Sequence, residues 1–407
     1  MSEVKATVPK KRSRTGPSGS PAVRDRGLNF LGHVRNKRSW KRRFRVALLA
    51  LMGLTGLLWL WRFVHRGCVG VLMIHGVMED DGRQEWVPLR PRLSPQELDR
   101  YLGHLSCWYR FISVDEAVEM LAGKAPMRRH SLVMTFDDGC RNNLTHALPI
   151  LRKYQVPGII FLATGHVERQ EPFWFDRLDY ALQHGLIDRQ AVRVGTETVT
   201  LSSRDRDDLQ ESYRRLRALA KGKLTHDDQF QALMSSLSAE LEAKGGQALR
   251  DILCDDDWSA VATWEEVAAA AKNGVCFGSH TVNHVRLPGV SRGVAQRELA
   301  VSKQAIERYT GQPCRYLAYP NGDVDETAIA VARDVGYLAA FTTEEGLNKL
   351  GDDPLQLRRI DLSSGLSRLE LHASVSGLSC ALAGVKETVS AALRGALCHL
   401  LRKGGVS

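Results

Sequence analysis

The sequence predicts an α/β protein with a parallel sheet or barrel covered by helices. Short apolar stretches rich in β-branched residues recur along the chain, and segments with helical periodicity separate them. A long polar stretch of helical pattern, residues 166–258, interrupts this alternation once. One uninterrupted apolar stretch lies near the N-terminus and predicts a membrane-spanning helix in addition to the α/β body.

The predicted strands and helices alternate over most of the chain. The candidate strands are Val69–Ile74, Ser131–Phe136, Gly158–Ala163, Val275–Gly278, Arg315–Tyr319 and Tyr337–Thr342. The candidate helices are Pro95–Cys107, Val114–Leu121, Leu144–Tyr154, Trp264–Asn273, Gly293–Thr310 and Asp325–Val335. We interpret residues 166–258 as a helical insertion between two strands of one catalytic domain, 67–375. Residues 376–407 predict a C-terminal helical extension that packs on the body or, as the alternative, lies on a membrane surface.

The net charge of +10 is distributed unevenly along the chain. Residues 1–66 contain 16 of the 56 Lys and Arg residues and only two acidic residues, so the rest of the chain is slightly acidic. A body of this charge lacks the basic surface that nucleic-acid binding needs, and we predict no nucleic-acid partner. Residues 1–43 are rich in Pro, Ser, Gly, Lys and Arg and predict a disordered basic tail.

Residues 44–66 predict a single transmembrane anchor. The segment Val46–Trp61 contains no charged residue, and Val46–Val64 as a helix would be roughly 28 Å long, close to the thickness of a bilayer core. A buried soluble helix and a cleaved signal peptide are the alternatives. Because the basic residues precede the anchor, we expect a single-pass inner-membrane protein with a cytoplasmic N-terminus and a periplasmic or extracellular catalytic domain.

Two adjacent carboxylates, Asp137 and Asp138, directly follow the predicted strand Ser131–Phe136. Paired carboxylates at the end of a buried strand are unfavourable unless a cation or another partner compensates them. An Asp-Asp-Gly sequence by itself is more often an ordinary turn. Its position directly after a strand favours a functional site over an ordinary turn, because barrel active sites lie at the carboxyl ends of the strands.

Two histidines, His280 and His284, follow the predicted strand Val275–Gly278. Two imidazoles four residues apart can bind one ion from the same side of a turn, although two unrelated surface histidines would give the same pattern. Together with Asp137 and Asp138 they provide a two-His-plus-carboxylate set. Asn321 in the turn after Arg315–Tyr319, and His75 after Val69–Ile74, occupy corresponding strand-end positions.

These motifs resemble those of the polysaccharide deacetylase family, also called the NodB-homology or carbohydrate esterase 4 family. The resemblance covers about residues 69–365 and rests on TFDDG at 135–139, HTVNH at 280–284 and AYPNG at 318–322. GVLMIH at 70–75 and FWFDRLDYAL at 173–182 are similar to a branch acting on exported polysaccharides. The resemblance implies a distorted (β/α)7 barrel and an N-acetylated glycan substrate.

The resemblance also implies a role for each site residue. Asp138, His280 and His284 would ligate a divalent metal, expected to be Zn²⁺, and Asp137 would be the general base. The backbone N–H of Asn321 would stabilise the oxyanion.

Two departures from the family pattern concern the acid and the base. Ala318 stands where the family commonly has the Arg that orients the base, and we find no convincing Leu-x-His motif for the usual general acid. We prefer His75 as the acid over His372.

The sequence therefore predicts a metal-dependent N-deacetylase of an exported polysaccharide or cell-envelope glycan. The alternatives are a catalytically silent glycan-binding or export-assembly protein and a carbohydrate O-acetyl esterase. The glycan, the metal, the disulfide pairing of the eight cysteines and the oligomeric state do not follow from the sequence.

Overall fold

A computed structural model describes residues 38–79, 86–90, 92–186 and 188–383. Its strands are β1 (Val69–Ile74), β2 (Arg110–Phe111), β3 (Ser131–Phe136), β4 (Gly158–Leu162), β5 (Arg189–Val194), β6 (Glu197–Ser202), β7 (Cys276–Ser279), β8 (Tyr316–Ala318), β9 (Ala339–Glu345), β10 (Leu347–Asn348) and β11 (Leu357–Asp361). Seven parallel strands run in the order β1, β3, β4, β7, β8, β9 and β11, and β11 pairs again with β1. This closure confirms the predicted (β/α)7 barrel.

The helices lie between the strands as the alternation predicts. They are α1 (Arg38–Leu54), α2 (Leu57–Val64), α3 (Pro95–Leu105), α4 (Val114–Leu121), α5 (Leu148–Lys153), α6 (Thr164–Arg169), α7 (Trp174–Gly185), α8 (Arg206–Lys223), α9 (Asp227–Gly245), α10 (Leu249–Ile252), α11 (Trp264–Lys272), α12 (Arg292–Thr310), α13 (Glu326–Val335) and α14 (Arg368–Val375). Ser or Thr side chains cap several of them, for example Ser94 at α3 and Thr263 at α11.

Alternating residues of the barrel strands face the interior or the surrounding helices. Val71 and Val133 belong to an interior apolar cluster, whereas Leu72 and Met134 belong to the cluster between strands and helices. Strand residues two apart share a face. Positions 75 and 137, which continue β1 and β3 in matching register, therefore lie on the interior side at the carboxyl mouth of the barrel.

The insertion at 166–258 is not purely helical. Besides α7–α10 it contains the antiparallel hairpin β5–β6, so the prediction of a helical insertion is incomplete. The alternating Val192, Val194, Val199 and Leu201 are buried against α7, α8 and α9, and they form a second apolar core separate from that of the barrel. This alternation is the strand signal that a helical interpretation of the segment overlooked.

We predict that Gly185→Ala destabilises the insertion. Gly185 ends α7 against α9, and an added Cβ would lie 1.9 Å from the carbonyl oxygen of Leu241. Overpacking of this kind typically costs about 1–3 kcal/mol, to be measured by urea unfolding. Gly222→Ala in α8 is the matched control, because no atom lies within 4 Å of its added Cβ, and it should be neutral or stabilising. Equal stability of the two variants would contradict the prediction.

The apolar N-terminal segment forms two helices rather than one. No single helix in the described part of the chain is long and apolar enough to cross a membrane, but Arg45–Leu54 and Leu57–Val64, bent by 81° at their junction, meet the length and composition criteria as a pair. Leu49 and Leu58 pack against Ala373 and Leu378. The predicted tail 1–43 and extension 376–407 lie mostly outside the described residues.

Candidate metal centre

The two carboxylates at the end of β3 point into different surroundings because the chain turns sharply there. Asp137 and Asp138 are 2 % and 1 % exposed. Asp138 has a φ of 72° and Gly139 a φ of 75°, both in the left-handed region. A non-glycine residue in this region is strained, and the strain is maintained at the mouth of the barrel where the functional side chains meet.

Asp138, His280 and His284 meet at one point. Oδ1 of Asp138 lies 3.6 Å from Nε2 of His280 and 3.5 Å from Nε2 of His284. One potential ligand atom from each of the three lies within 4.8 Å of the others, and all three side chains are buried. Strands β3 and β7 thus bring together residues that lie far apart in the sequence.

The loop that carries the two histidines is held by a buried carboxylate. Glu298 of α12 accepts hydrogen bonds from the backbone N–H groups of Val282 and Asn283, at 2.9 and 2.8 Å, and from the Asn283 side chain at 2.7 Å. His284 itself has a φ of 54°. Glu298 therefore fixes a strained loop, a role that no motif in the sequence predicts.

The protonation of the imidazoles suits metal binding. Nδ1 of His280 lies 2.7 Å from the carbonyl oxygen of Ala318. Since a carbonyl only accepts, Nδ1 carries the proton and Nε2 offers its lone pair toward Asp138. Burial lowers the pKa of His280, an effect that the charge of Asp137 opposes, and burial lowers the pKa of His284 far below its usual value. Both rings are neutral at physiological pH.

Asp138 carries an unpaired oxygen at the centre of this triad. Its Oδ1 is buried and has no hydrogen-bond partner among the described residues, although it faces both Nε2 atoms. Burial raises the pKa of Asp138, an effect that the charges of His75 and Arg90 oppose. A divalent cation would satisfy the orphaned oxygen and both imidazoles, so the residues fit a metal with nitrogen and oxygen ligands.

Arg359 holds the second carboxylate. Its Nη1 and Nη2 lie 2.7 Å from Oδ1 and Oδ2 of Asp137, and its Nε donates to the carbonyl oxygen of Thr342 at 2.7 Å. Burial acts to raise the pKa of Asp137, but Arg359 prevails and lowers it to about 2. Although Ala318 replaces the arginine that commonly orients the base, Arg359 on β11 supplies the partner of Asp137.

His75 and Asn321 lie at the same mouth of the barrel. His75 follows β1 in register with Asp137, is partly exposed, and contributes to the electrostatic environment of both aspartates. Asn321 lies in the turn Pro320–Gly322 after β8, with a φ of 57°. Its carbonyl oxygen accepts a hydrogen bond from the Thr343 hydroxyl at 3.1 Å.

His372 lies at the opposite end of the barrel. Its Nε2 is 3.0 Å from Nε2 of His104, and its ring contacts Trp59. Tyr109, 6.1 Å from the His372 ring, precedes β2, which pairs with the first residues of β3. The structure thus removes His372 from the candidates for general acid.

The fold and the site together define an α/β barrel protein with a buried Asp-His-His triad, suited to a metal ion, at the carboxyl ends of its strands. The profile of the family described as "Polysaccharide deacetylase" matches residues 124–340, more than half of the chain. The chain belongs to the polysaccharide deacetylase family.

The chain is also similar to individual known proteins. The chain is 30 % identical over 116 residues to the "Putative polysaccharide deacetylase YxkH" of Bacillus subtilis (strain 168), an alignment that spans 28 % of this chain and 42 % of YxkH. The solved structure of the Streptococcus pyogenes deacetylase PplD in complex with acetate is 19 % identical, covers 76 % of this chain and 98 % of PplD, and gives a TM-score of 0.50. IcaB from Ammonifex degensii is 19 % identical over 76 % of this chain and 97 % of IcaB, with a TM-score of 0.48. At 19 % identity the PplD structure bears on the fold alone.

Proposed function

We propose that the protein is a metal-dependent deacetylase that hydrolyses N-acetyl groups of an exported polysaccharide or cell-envelope glycan. The observation that carries the proposal is the orphaned Oδ1 of Asp138 facing two neutral imidazoles, next to an ionised Asp137. Amide hydrolysis by water requires a cation site beside an ionised carboxylate that can accept a proton, and this site provides both groups. Membership of the family supplies the acetylated glycan as the substrate class.

In this mechanism each residue of the site has a separate role. A divalent ion bound here, with Zn²⁺ proposed, would supply Lewis-acid polarisation of the acetyl carbonyl and acidification of water. Asp138, His280 and His284 would hold the ion, and Asp137 accepts the proton of the attacking water. The backbone N–H of Asn321 donates to the acetyl oxygen as charge develops on it. His75 gives a proton to the departing sugar amine, and acetate leaves.

The apolar N-terminal segment completes the proposal. Its 16 uncharged residues after a basic tail support a membrane tether at the inner membrane, with the tail in the cytoplasm and the barrel in the periplasm or outside the cell. Such a tether would hold the barrel near a polymer under export. Alkaline extraction of membranes should leave the full chain in the pellet, and release into the supernatant would argue against an integral anchor.

The test of the activity combines metal analysis with acetate release. The purified chain should contain about one divalent metal ion per site, lose acetate release on chelation and regain it with Zn²⁺. Acetylated chitooligosaccharides, peptidoglycan fragments and O-acetylated glycans should be assayed in parallel, since ester cleavage uses the same chemistry. Bound metal without acetate from any of them would favour the silent glycan-binding alternative.

We predict that His75→Ala lowers kcat by about 10²-fold without loss of metal. Loss of a general acid typically costs this much or more, and His75 is not among the metal ligands. The measurement is acetate release together with metal content. His226→Ala, at an exposed histidine of the insertion, is the matched control. Full turnover by His75→Ala with metal retained would show that another group is the acid.

A further inference from the structure

The insertion holds a loop of the barrel beside the metal centre. We call Trp86–Arg90 together with Arg92 the arginine loop; it lies between β1 and α3. Asp179 of α7 accepts a hydrogen bond from the backbone N–H of Leu89 at 2.7 Å. Gln183 donates to the carbonyl oxygen of Val87 at 2.9 Å, and Gln210 of α8 to that of Leu89 at 2.9 Å. The insertion thus fixes where the loop presents its side chains.

Two arginines of this loop share one buried carboxylate. Nη2 of Arg90 and Nη2 of Arg92 lie 2.6 and 3.1 Å from the same oxygen, Oδ1, of Asp176, whose side chain is 1 % exposed. Nε of Arg90 and Nη1 of Arg92 are buried without a hydrogen-bond partner among the described residues. Among the described residues, two guanidinium groups therefore bond a single carboxylate, and these three side chains together carry one net positive charge.

Arg90 is the member of this cluster that a ligand can reach. Its side chain is 21 % exposed, against 6 % for Arg92. Among the residues that the structure describes, none forms a hydrogen bond with Nη1 of Arg90, and this nitrogen is not buried. Arg90 can offer an N–H group to a ligand while its other terminal nitrogen stays on Asp176.

Arg90 lies close to the metal triad. Its guanidinium carbon is 4.0 Å from the centre of the Phe175 ring, and that ring is 5.6 Å from the ring of His284. The charge of Arg90 also acts on Asp138. A glycan whose acetyl group reaches the metal triad would have a neighbouring substituent next to Arg90.

We propose that Arg90 binds an anionic substituent of the substrate, so that the preferred substrate is an acidic N-acetylated glycan. The inference rests on the proposed function and names the substrate class for the same site. A carboxylate or a phosphate beside the acetamido group supplies the charge that the cluster lacks, because both accept hydrogen bonds from a guanidinium. Asp138 is not that partner, because its unpaired oxygen faces the two imidazoles. Asp179 is bonded to Leu89 and Gln183.

The test compares one neutral and two acidic substrates. The probes are chitotetraose, an alternating GlcNAc–MurNAc tetrasaccharide with lactyl carboxylates, and chitotetraose bearing a 6-phosphate. Arg90→Gln should lower kcat/KM about 10- to 100-fold on an acidic probe, mainly through KM, and less than about threefold on the neutral one. The acidic probe on which Arg90→Gln loses more kcat/KM shows whether Arg90 binds a carboxylate or a phosphate. Equal loss on all three probes, or no loss, would overturn the proposal.

Two further variants separate binding from structure. Arg90→Lys keeps the charge and should recover part of the acidic preference, whereas Arg214→Gln removes an exposed charge of the insertion and should change nothing. If no probe releases acetate, the proposed function fails. Calorimetric binding to Asp137→Asn with and without Arg90→Gln then decides the inference alone: weaker binding of the acidic probes without Arg90 supports it, and equal binding contradicts it.

Discussion

Replacing Asp137 with Asn should reduce acetate release by about 10³-fold or more while the protein keeps its metal. General-base catalysis contributes about 10²–10⁴-fold, and an amide cannot accept the proton of the attacking water. Asp137 is bonded to Arg359, whereas the proposed metal site is formed by Asp138 and the two histidines. Metal content and acetate release of the same preparation measure the two effects separately.

The adjacent residue provides the matched control. Asp138→Asn changes the same functional group one position along the chain, but it weakens a proposed metal ligand and should therefore lose metal and activity together. If Asp137→Asn also lost its metal, or kept more than about a tenth of its activity, Asp137 would not be the base that we propose.

The barrel was predictable from the sequence because its strands are uniformly buried. All six residues of Val69–Ile74 and of Ser131–Phe136 are buried, and both strands have the predicted bounds. The last barrel strand, Leu357–Asp361, was not predicted, since two arginines interrupt its apolar pattern. Arg359 points into the barrel, where it completes an ion pair that local sequence cannot reveal.

The site was predictable only to the extent that its residues belong to short motifs. Asp138, His280 and His284 each follow a strand, and the structure brings them together as expected. Arg359 lies 222 residues from Asp137 in the sequence, so its role depends on the closure of the barrel. A charged residue within an otherwise buried strand was the one available signal. Nothing in the local sequence indicated a role for Arg90 and Arg92 in the loop after β1. Their partner, Asp176, belongs to the insertion and meets them only in the folded chain.

Arg359→Met should destabilise the protein by about 3–5 kcal/mol at pH 7, because it leaves Asp137 buried and ionised without a partner. Urea unfolding of the variant and the parent measures this loss. Arg358→Met is the matched control on the adjacent residue. The Arg358 side chain is 41 % exposed and pairs with Glu344 at the surface, so its removal should cost less than about 1 kcal/mol. Similar losses for the two variants would contradict the assignment.

The pH dependence separates the electrostatic role of Arg359 from mere packing. In the parent the pKa of Asp137 is about 2, which is below its usual value in an unfolded chain. The ion pair of Asp137 and Arg359 therefore stabilises the fold fully above about pH 4. This contribution to stability disappears as the pH falls toward 2. Without Arg359, burial should raise the pKa of Asp137 above its value in the unfolded chain. The stability loss of Arg359→Met should therefore shrink on acidification, and the acidic limb of kcat/KM should move to higher pH. The Asp137→Asn variant has no buried carboxylate charge that could lose its partner. Adding Arg359→Met to this variant should therefore lower the free energy of unfolding less than it does in the parent. If Arg359 acted only through packing, the loss would be the same in both backgrounds.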